Sequence, residues 1–402
     1  MRRTLVSVGA VCLTALFATA CGADPTAPSN NNNGGAQDSD IVTLGASLSL
    51  TGIQAPLDEP GLRGAQLAVK QLNEDDGILG KQIKLINLDG KSDPVTVGNN
   101  AVQLIDEGAA AIIAPCDFDF GGPASREAQN AGLVGISTCA SSPLYGAKSL
   151  GDKQFTLSMW NTTMGAAAAE FGYEKGWRSA YVVTDTFIDY TKSLSLYFTE
   201  TWEHLGGTIA GKDTYTQGDQ NFSAQLQRLR NVPEPDVIFV SSYMPDLALI
   251  IREIRSAGIE APILGGDSYD DPQLGKVLGS KFGNDISYAT HSFLSDEAGD
   301  QIGEFLQAYQ DEYNEEPDTA LVTTGYDVVM LLAQAMEEAG STDGAEVAKA
   351  MESMTFDLLT GKLDWGTAAE DHVPNKEAAM VSLADGEPRF EGWLMPSWTP
   401  EK

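Results

Sequence analysis

The sequence predicts an α/β protein: two doubly wound parallel-sheet lobes facing each other across a cleft. Two observations carry this expectation. Short β-rich runs alternate with amphipathic helices along most of the 402 residues, the pattern of parallel sheets covered by helices on both faces. The alternation also comes in two sets, divided near Trp160, and the length suits two or more lobes.

In the first set, "IVTLGASL" (41–48) reads as a strand and "GLRGAQLAVKQLNEDDG" (61–77) as a helix, with Leu62, Ala65, Val69 and Leu72 on one face and Gly77 at its stop. "IKLINLD" (83–89) is the next strand. A helix runs over 94–107, with Asp93 as N-cap and Pro94 at its first position. The apolar runs 109–115 and 133–138 are strands, with a helix from about Pro123 between them. In the second set, helices over 163–175 and 190–205 flank the strand "SAYVVTD" (179–185). "DVIFVSS" (236–242), a helix striped by Leu247, Ile250, Ile251 and Ile254, and "PILGGD" (262–267) follow. The helical stretch after about Ser292, including 301–313 and 320–339, exceeds what the second set needs and is expected to return to the first lobe.

The ends of the chain give an address. Arg2 and Arg3 precede an apolar stretch, Leu5 to Ala18, that is short for a membrane span and reads as a secretory signal. It leads into Ala18-Thr19-Ala20-Cys21, which resembles the bacterial lipoprotein cleavage box, with Ala18 where leucine is usual. That resemblance implies lipidation of Cys21 and an extracytoplasmic body anchored to the bacterial cell membrane; ordinary secretion is the competing reading. Residues 21–40, rich in Asn, Gly, Ser and Pro, form a flexible tether. The formal net charge of -32, two units more negative without Arg2 and Arg3, argues against a nucleic-acid partner. Cys12 leaves with the signal, so Cys116 and Cys139 remain in the body. Each lies at or just past the end of an apolar run. On neighbouring parallel strands they would form a disulfide, as the oxidising compartment favours; two buried thiols are the alternative.

Enzyme signatures fail. Gly90-Lys91-Ser92 lacks the preceding glycine of a phosphate-binding loop, and neither G-x-G-x-x-G after a strand nor G-x-S-x-G occurs. His204, His291 and His372 have no metal-ligand spacing, so no metal, cofactor or Ser–His–Asp site is expected. What remains is recognition chemistry at the carboxyl ends of the strands, where ligands of open parallel sheets sit. Asp267 follows Gly265-Gly266 and offers a carboxylate to a cation, a turn cap being its plainer role. Ser141 offers a hydroxyl, or else a helix cap. Tyr190 and Tyr243 sit past equivalent strand ends and would close over a small solute. Trp160, at the crossing between the sets, serves either ligand stacking or hinge packing.

These residues resemble a known pattern. "GASLSLTG", "GLRGAQLAVKQLNEDDGILGKQIKLINLDGKSDPVTV" and "TGKLDWG" (360–366) are similar to segments of the branched-chain amino-acid-binding family of ABC-transporter solute receptors, and the similarity covers nearly all of 41–395. The resemblance implies a type I periplasmic-binding fold: two α/β lobes with a three-crossing hinge, no catalysis, and a separate membrane permease and ATPase as partners. It divides the chain into a first lobe of 41–160 plus 290–366 and a second of 161–289 plus 367–402. It assigns Ser141 to the head group of an amino acid, the Cys139 carbonyl to its ammonium, Asp267 to the same ammonium, and Tyr190 and Tyr243 to the second-lobe wall; Leu57 falls where one form has an aromatic.

The departure is Phe118-Asp119-Phe120, where the family usually has small hydroxyl residues that help bind the ligand carboxylate. If the run is extended, Phe118 and Phe120 line the pocket while Asp117 and Asp119 cap the turn. Otherwise an aspartate faces in and selects a cationic, urea-like or amide ligand. The implied function is an extracytoplasmic solute receptor for a small amino acid or amide. A sensory module reporting to a membrane receptor is the alternative.

Overall fold

The computed structural model describes residues 40–219 and 221–402. The signal stretch, Cys21 and the tether through Ser39 lie outside the described residues.

The first sheet comprises β1 (Ile41–Ala46), β2 (Gln82–Asn87), β3 (Ala111–Ala114), β4 (Val134–Ser137) and β5 (Gln154–Thr156), in the order β2-β1-β3-β4-β5 with every pairing parallel. The second is built on β6 (Ser179–Asp185), β7 (Thr208–Tyr215), β8 (Val237–Ser241), β9 (Ile263–Gly265) and β10 (Ile286–Thr290), also parallel. A small sheet holds β11 (Phe356–Leu358), β12 (Gly361–Trp365) and β13 (Pro374–Asn375). The antiparallel strands β14 (Ala378–Ala384) and β15 (Glu387–Leu394) complete the second sheet beside β10.

The helices are α1 (Ala55–Glu74), α2 (Pro94–Asp106), α3 (Phe118–Asn130), α4 (Ala147–Leu150), α5 (Asn161–Glu174), α6 (Asp189–His204), α7 (Ser223–Asn231), α8 (Asp246–Ser256), α9 (Pro272–Phe282), α10 (Asp300–Tyr313), α11 (Leu321–Ala339) and α12 (Gly344–Ser353). Among the described residues no helix is long and apolar enough to cross a membrane.

Local chemistry explains several boundaries. Pro94 opens α2 without sacrificing a helical hydrogen bond, and Asp93 Oδ1 accepts the Thr96 N–H at 2.7 Å. The stripe Leu247, Ile250, Ile251 and Ile254 turns α8 onto the second sheet, where all four are buried. The central strands are covered on both faces, so β3, β4 and β8 are buried at every position without alternation.

The late helices do return to the first lobe. α11 lies against α1 so closely that a methyl group on Gly64 would stand 1.9 Å from the Val322 carbonyl oxygen, and one on Gly325 1.7 Å from that of Gly61. Only glycine permits this approach. The chain passes between the lobes at Met159–Trp160, at His291–Ser292 and at Lys376–Glu377.

Two readings of the sequence need correction. The helix expected from Pro123 begins at Phe118, because Asp117 adopts a left-handed φ of 65° and turns the chain directly into it. Residues 368–375, grouped above with the second lobe, lie against the first: β13 pairs with β12, and His372 contacts the Gln154 carbonyl at 2.9 Å and Glu352 at 2.9 Å.

Candidate binding site between the lobes

Strand order locates the site. In the first sheet the order reverses between β1 and β3, so the loops after these strands diverge and leave a crevice at their carboxyl ends. In the second sheet the reversal falls between β6 and β8. The first crevice presents Gln54 and Asp117; the second presents Tyr190 and Tyr243. They meet. The Tyr243 hydroxyl donates to Asp117 Oδ2 at 2.6 Å, and Gln54 Nε2 donates to the same oxygen at 2.8 Å.

Asp117 is 2% exposed. Burial is the main cause that pushes its carboxyl up to about 7, with the negative charges of Asp267 and Asp119 adding to it; the bonds from Tyr243 and Gln54 act the other way. Among the described residues no lysine or arginine pairs with Asp117 or Asp119. Behind the site, buried Asp58 accepts the Ser49 N–H at 2.8 Å and the Cys116 N–H at 3.0 Å, fixing the β1 loop to the β3 loop. Its burial pushes it, too, up to about 7.

Asp267, 5% exposed, stands at the end of β9 with one oxygen 2.8 Å from His291 Nε2. Tyr190 and Tyr243 lie edge to face, ring centroids 5.2 Å apart, and burial keeps both phenols protonated by raising them well above their ordinary range. The Tyr190 hydroxyl lies 3.3 Å from both Oγ and N of Ser268. Asn161 Nδ2 donates to the Tyr190 carbonyl at 3.0 Å and to Ser193 Oγ at 2.8 Å. The Asn161 N–H in turn donates to the Ser141 carbonyl at 2.6 Å.

The side chains singled out from the sequence divide. Asp117, Tyr190, Tyr243 and Asp267 come together. Ser141 is buried beside them with its hydroxyl unpaired, and Trp160, the residue before α5, has its indole N–H buried and unpaired. The ammonium of Lys402 stands 4.6 Å from the Trp160 ring centroid. Asp119 neither caps its own helix nor points into this cluster: its Oδ2 accepts the Asp189 N–H at 2.9 Å and ties α3 to α6 across the rim. Ser142 reaches the Asp189 carboxylate from the same side.

Phe118 turns away. Its ring meets Tyr145 edge-on at 6.5 Å and lies 5.6 Å from the Arg126 guanidinium, in the packing between α2 and α3. The cause is the helical start, since a residue in the first turn does not alternate as a strand residue does; Phe120 packs toward the cleft cluster with Leu57 and Tyr243. Cys116 and Cys139 lie in the loops just after the adjacent strands β3 and β4, and the structure pairs their sulfurs with Cα atoms 4.7 Å apart.

Sequence reasoning missed Gln54, Asn161 and His291. His291 was hidden because β10 was not read as a strand; its run "ISYAT" is β-rich and bounded by Asn284-Asp285, a signal that was present.

An open cavity of about 530 Å³ lies farther out, lined by residues including Pro56, Arg63, Asp271 and Thr319. It lacks the buried tyrosine and carboxylate pairs, so the strand-end cluster is the better candidate. The arrangement can hold a small polar solute between two lobes. Among the described residues no cluster suited to a metal ion occurs.

Comparison with known proteins agrees with this architecture. The family model described as "Periplasmic binding protein" matches residues 41–388. A Leu/Ile/Val-binding protein homologue from Brucella abortus is 25% identical over 375 residues, covering 91% of this chain and 92% of its own. The leucine-, isoleucine-, valine-, threonine- and alanine-binding protein of Pseudomonas aeruginosa is 22% identical over 324 residues, 81% of this chain and 85% of its own. Among solved structures, a leucine-binding protein from Thermotoga maritima superposes with a TM-score of 0.79 at 27% identity, covering 88% of this chain and 99% of its own. A branched-chain amino-acid binding protein from Streptococcus pneumoniae in complex with isoleucine gives 0.78 at 25%, covering 90% and 100%. A solute-binding protein from R. palustris in complex with benzoate shares the fold, with a TM-score of 0.76 at 20% identity over 90% of this chain and 98% of its own. These relatives are binding proteins rather than enzymes, and with its two facing α/β lobes the chain belongs to the periplasmic binding protein family.

Proposed function

We propose that this protein is the solute receptor of an ABC importer, anchored outside the cytoplasmic membrane through lipidated Cys21. It holds a small amino acid of the branched-chain type, or an amide, between its lobes and delivers it to a membrane permease driven by an ATPase. The observation that carries this reading is the meeting of the two strand-order reversals, which brings Gln54 and Asp117 of one lobe against Tyr243 of the other. A solute bound there touches both lobes, so its binding free energy favours closure. The named relatives bind leucine, isoleucine or valine, which supports the amino-acid class.

Within this reading Asp267 holds the ammonium or amide N–H of the solute, Ser141 and the Cys139 carbonyl complete the head-group contacts, and Tyr190 and Trp160 wall the cavity. Cys116 and Cys139 form a disulfide that braces the two strand ends, in keeping with an oxidising compartment. The lobes hinge at the three crossings.

Mass spectrometry of solute released from purified protein tests the assignment, with Asp267→Ala as control. A small nitrogen-bearing solute present in the parent and depleted in the variant is expected. Equal amounts in both would remove Asp267 from the site. Metabolic labelling with a fatty acid, lost in Cys21→Ser, tests the anchor.

A further inference from the structure

The cleft presents hydrogen-bond acceptors at both ends. Gln54 donates its amide to Asp117, which fixes the orientation of that amide and leaves the buried Gln54 Oε1 without a donor. Asn161 is oriented in the same way, since its Nδ2 faces the Tyr190 carbonyl, and its buried Oδ1 is likewise unpaired. His291 sets Nε2 2.8 Å from the Asp267 carboxylate, and its buried Nδ1 has no hydrogen-bond partner. Asp117 takes the bonds from Gln54 and Tyr243 on Oδ2, and Asp267 sets its Oδ2 against His291. Buried acceptors left open in this way are costly unless a ligand answers them.

The donors are few by comparison: the Trp160 indole N–H, and the Ser141 hydroxyl, which can act either way. The N-terminus of α3 offers backbone N–H groups, but Asp117 and Asp119 flank it, so the local charge opposes a carboxylate there. A zwitterionic amino acid needs acceptors at one end and donors at the other. This cleft has acceptors at both.

From this donor and acceptor census, and on the reading of the protein as a solute receptor, we propose that its ligand is a small cation with N–H groups at both ends and no free carboxylate: an amino-acid amide, a guanidino compound or a diamine. Asp267 binds one nitrogen end and Asp117, with Gln54, the other, while Tyr190 and Tyr243 enclose the carbon body.

Calorimetric titration of the purified protein with leucine, leucinamide, agmatine and benzoate tests the proposal. Leucine and leucinamide differ only in carboxylate against amide, so the pair isolates the end facing Asp117. Leucinamide or agmatine is expected to bind at least tenfold more tightly than leucine or benzoate. In Asp117→Asn, with an unchanged near-ultraviolet circular dichroism spectrum, that preference falls to threefold or less. Should that variant not fold, Gln54→Met serves in its place and weakens the amide or guanidino ligand more than leucine. Leucine or benzoate binding as tightly as the cations overturns the cation assignment and leaves the receptor reading standing. So does a preference that survives Asp117→Asn, or Gln54→Met where that variant stands in. If none of the four binds and native protein releases no solute, the receptor reading fails and the cation assignment fails with it.

Discussion

Two buried aspartates, Asp327 and Asp117, show how the same residue serves different ends. Asp327, on α11, accepts the Leu359 N–H at 3.1 Å on one oxygen and the Thr360 N–H at 2.8 Å on the other. Lys376, also buried, donates to Thr360 Oγ1 at 2.6 Å and supplies the opposing charge. Burial pushes Asp327 up to about 6 and Lys376 down to about 8, and each charge draws the other back toward its ordinary range. Asp117 has two donors on a single oxygen, no cationic partner among the described residues, and an unpaired amide oxygen beside it. A buried charge answered by its own chain holds a structure together. One left partly unanswered is, on the proposal above, the place where a solute supplies the missing partner.

The contrast can be broken experimentally, beginning with the largest effect. Lys376→Met leaves Asp327 without its cation and is expected to lower unfolding free energy by about 3–5 kcal/mol in urea titrations. Solute affinity of the folded protein should change less than twofold; a large loss of affinity would make Lys376 part of the site. Next, replacing Cys116 and Cys139 together by alanine opens a loop closed at a sequence separation of 23. The expected cost is about 3 kcal/mol, and an equal midpoint in the parent with and without reductant would argue against the bond.

Asp267→Asn removes a charge-assisted hydrogen bond and should weaken the solute by about 1.5–3 kcal/mol, with little change in thermal midpoint. The reverse outcome, lost stability with unchanged affinity, would make Asp267 a partner of His291 alone.

The most gradual effect is a pH dependence. Asp117 is raised from 3.8 to about 7, so its contribution to stability is full below the ordinary carboxylate range and is lost as pH rises through about 7. Asp117→Asn abolishes that loss. Its stability relative to the parent should therefore grow steadily from pH 4 to pH 8, the weaker bonds of the amide to Tyr243 and Gln54 adding only a constant offset. A constant difference across that range would mean that Asp117 does not titrate there.

Much of this architecture was legible because parallel sheets announce themselves. The apolar runs ending at Pro115, Thr138 and Asp185 locate strand ends, and strand ends locate ligands. Tyr190, Tyr243 and Asp267 were reachable for that reason. The hairpin of β14 and β15 carried a readable signal in Asp385-Gly386, both with positive φ at the turn, but only the pairing shows that it closes the second sheet. The start of α3 was not legible. Gly-Gly-Pro reads as loop ahead of a helix, and the left-handed turn at Asp117 that moves the start forward has no local sequence cause. The direction in which Asp117 points follows from that turn together with Tyr243, 126 residues away, a relation that no window of sequence contains.

The glycine contact between α1 and α11 has a consequence for how the protein is made. Val328, Leu332 and Met336 of α11 pack into the same core as Leu44 of β1 and Ile113 of β3, so the cover of the earliest strands is encoded near the end of the chain. A nascent polypeptide that has emerged only as far as the second lobe still carries an open apolar sheet and cannot finish its first lobe. Late completion postpones the final shape of the first lobe until the last third of the chain is available.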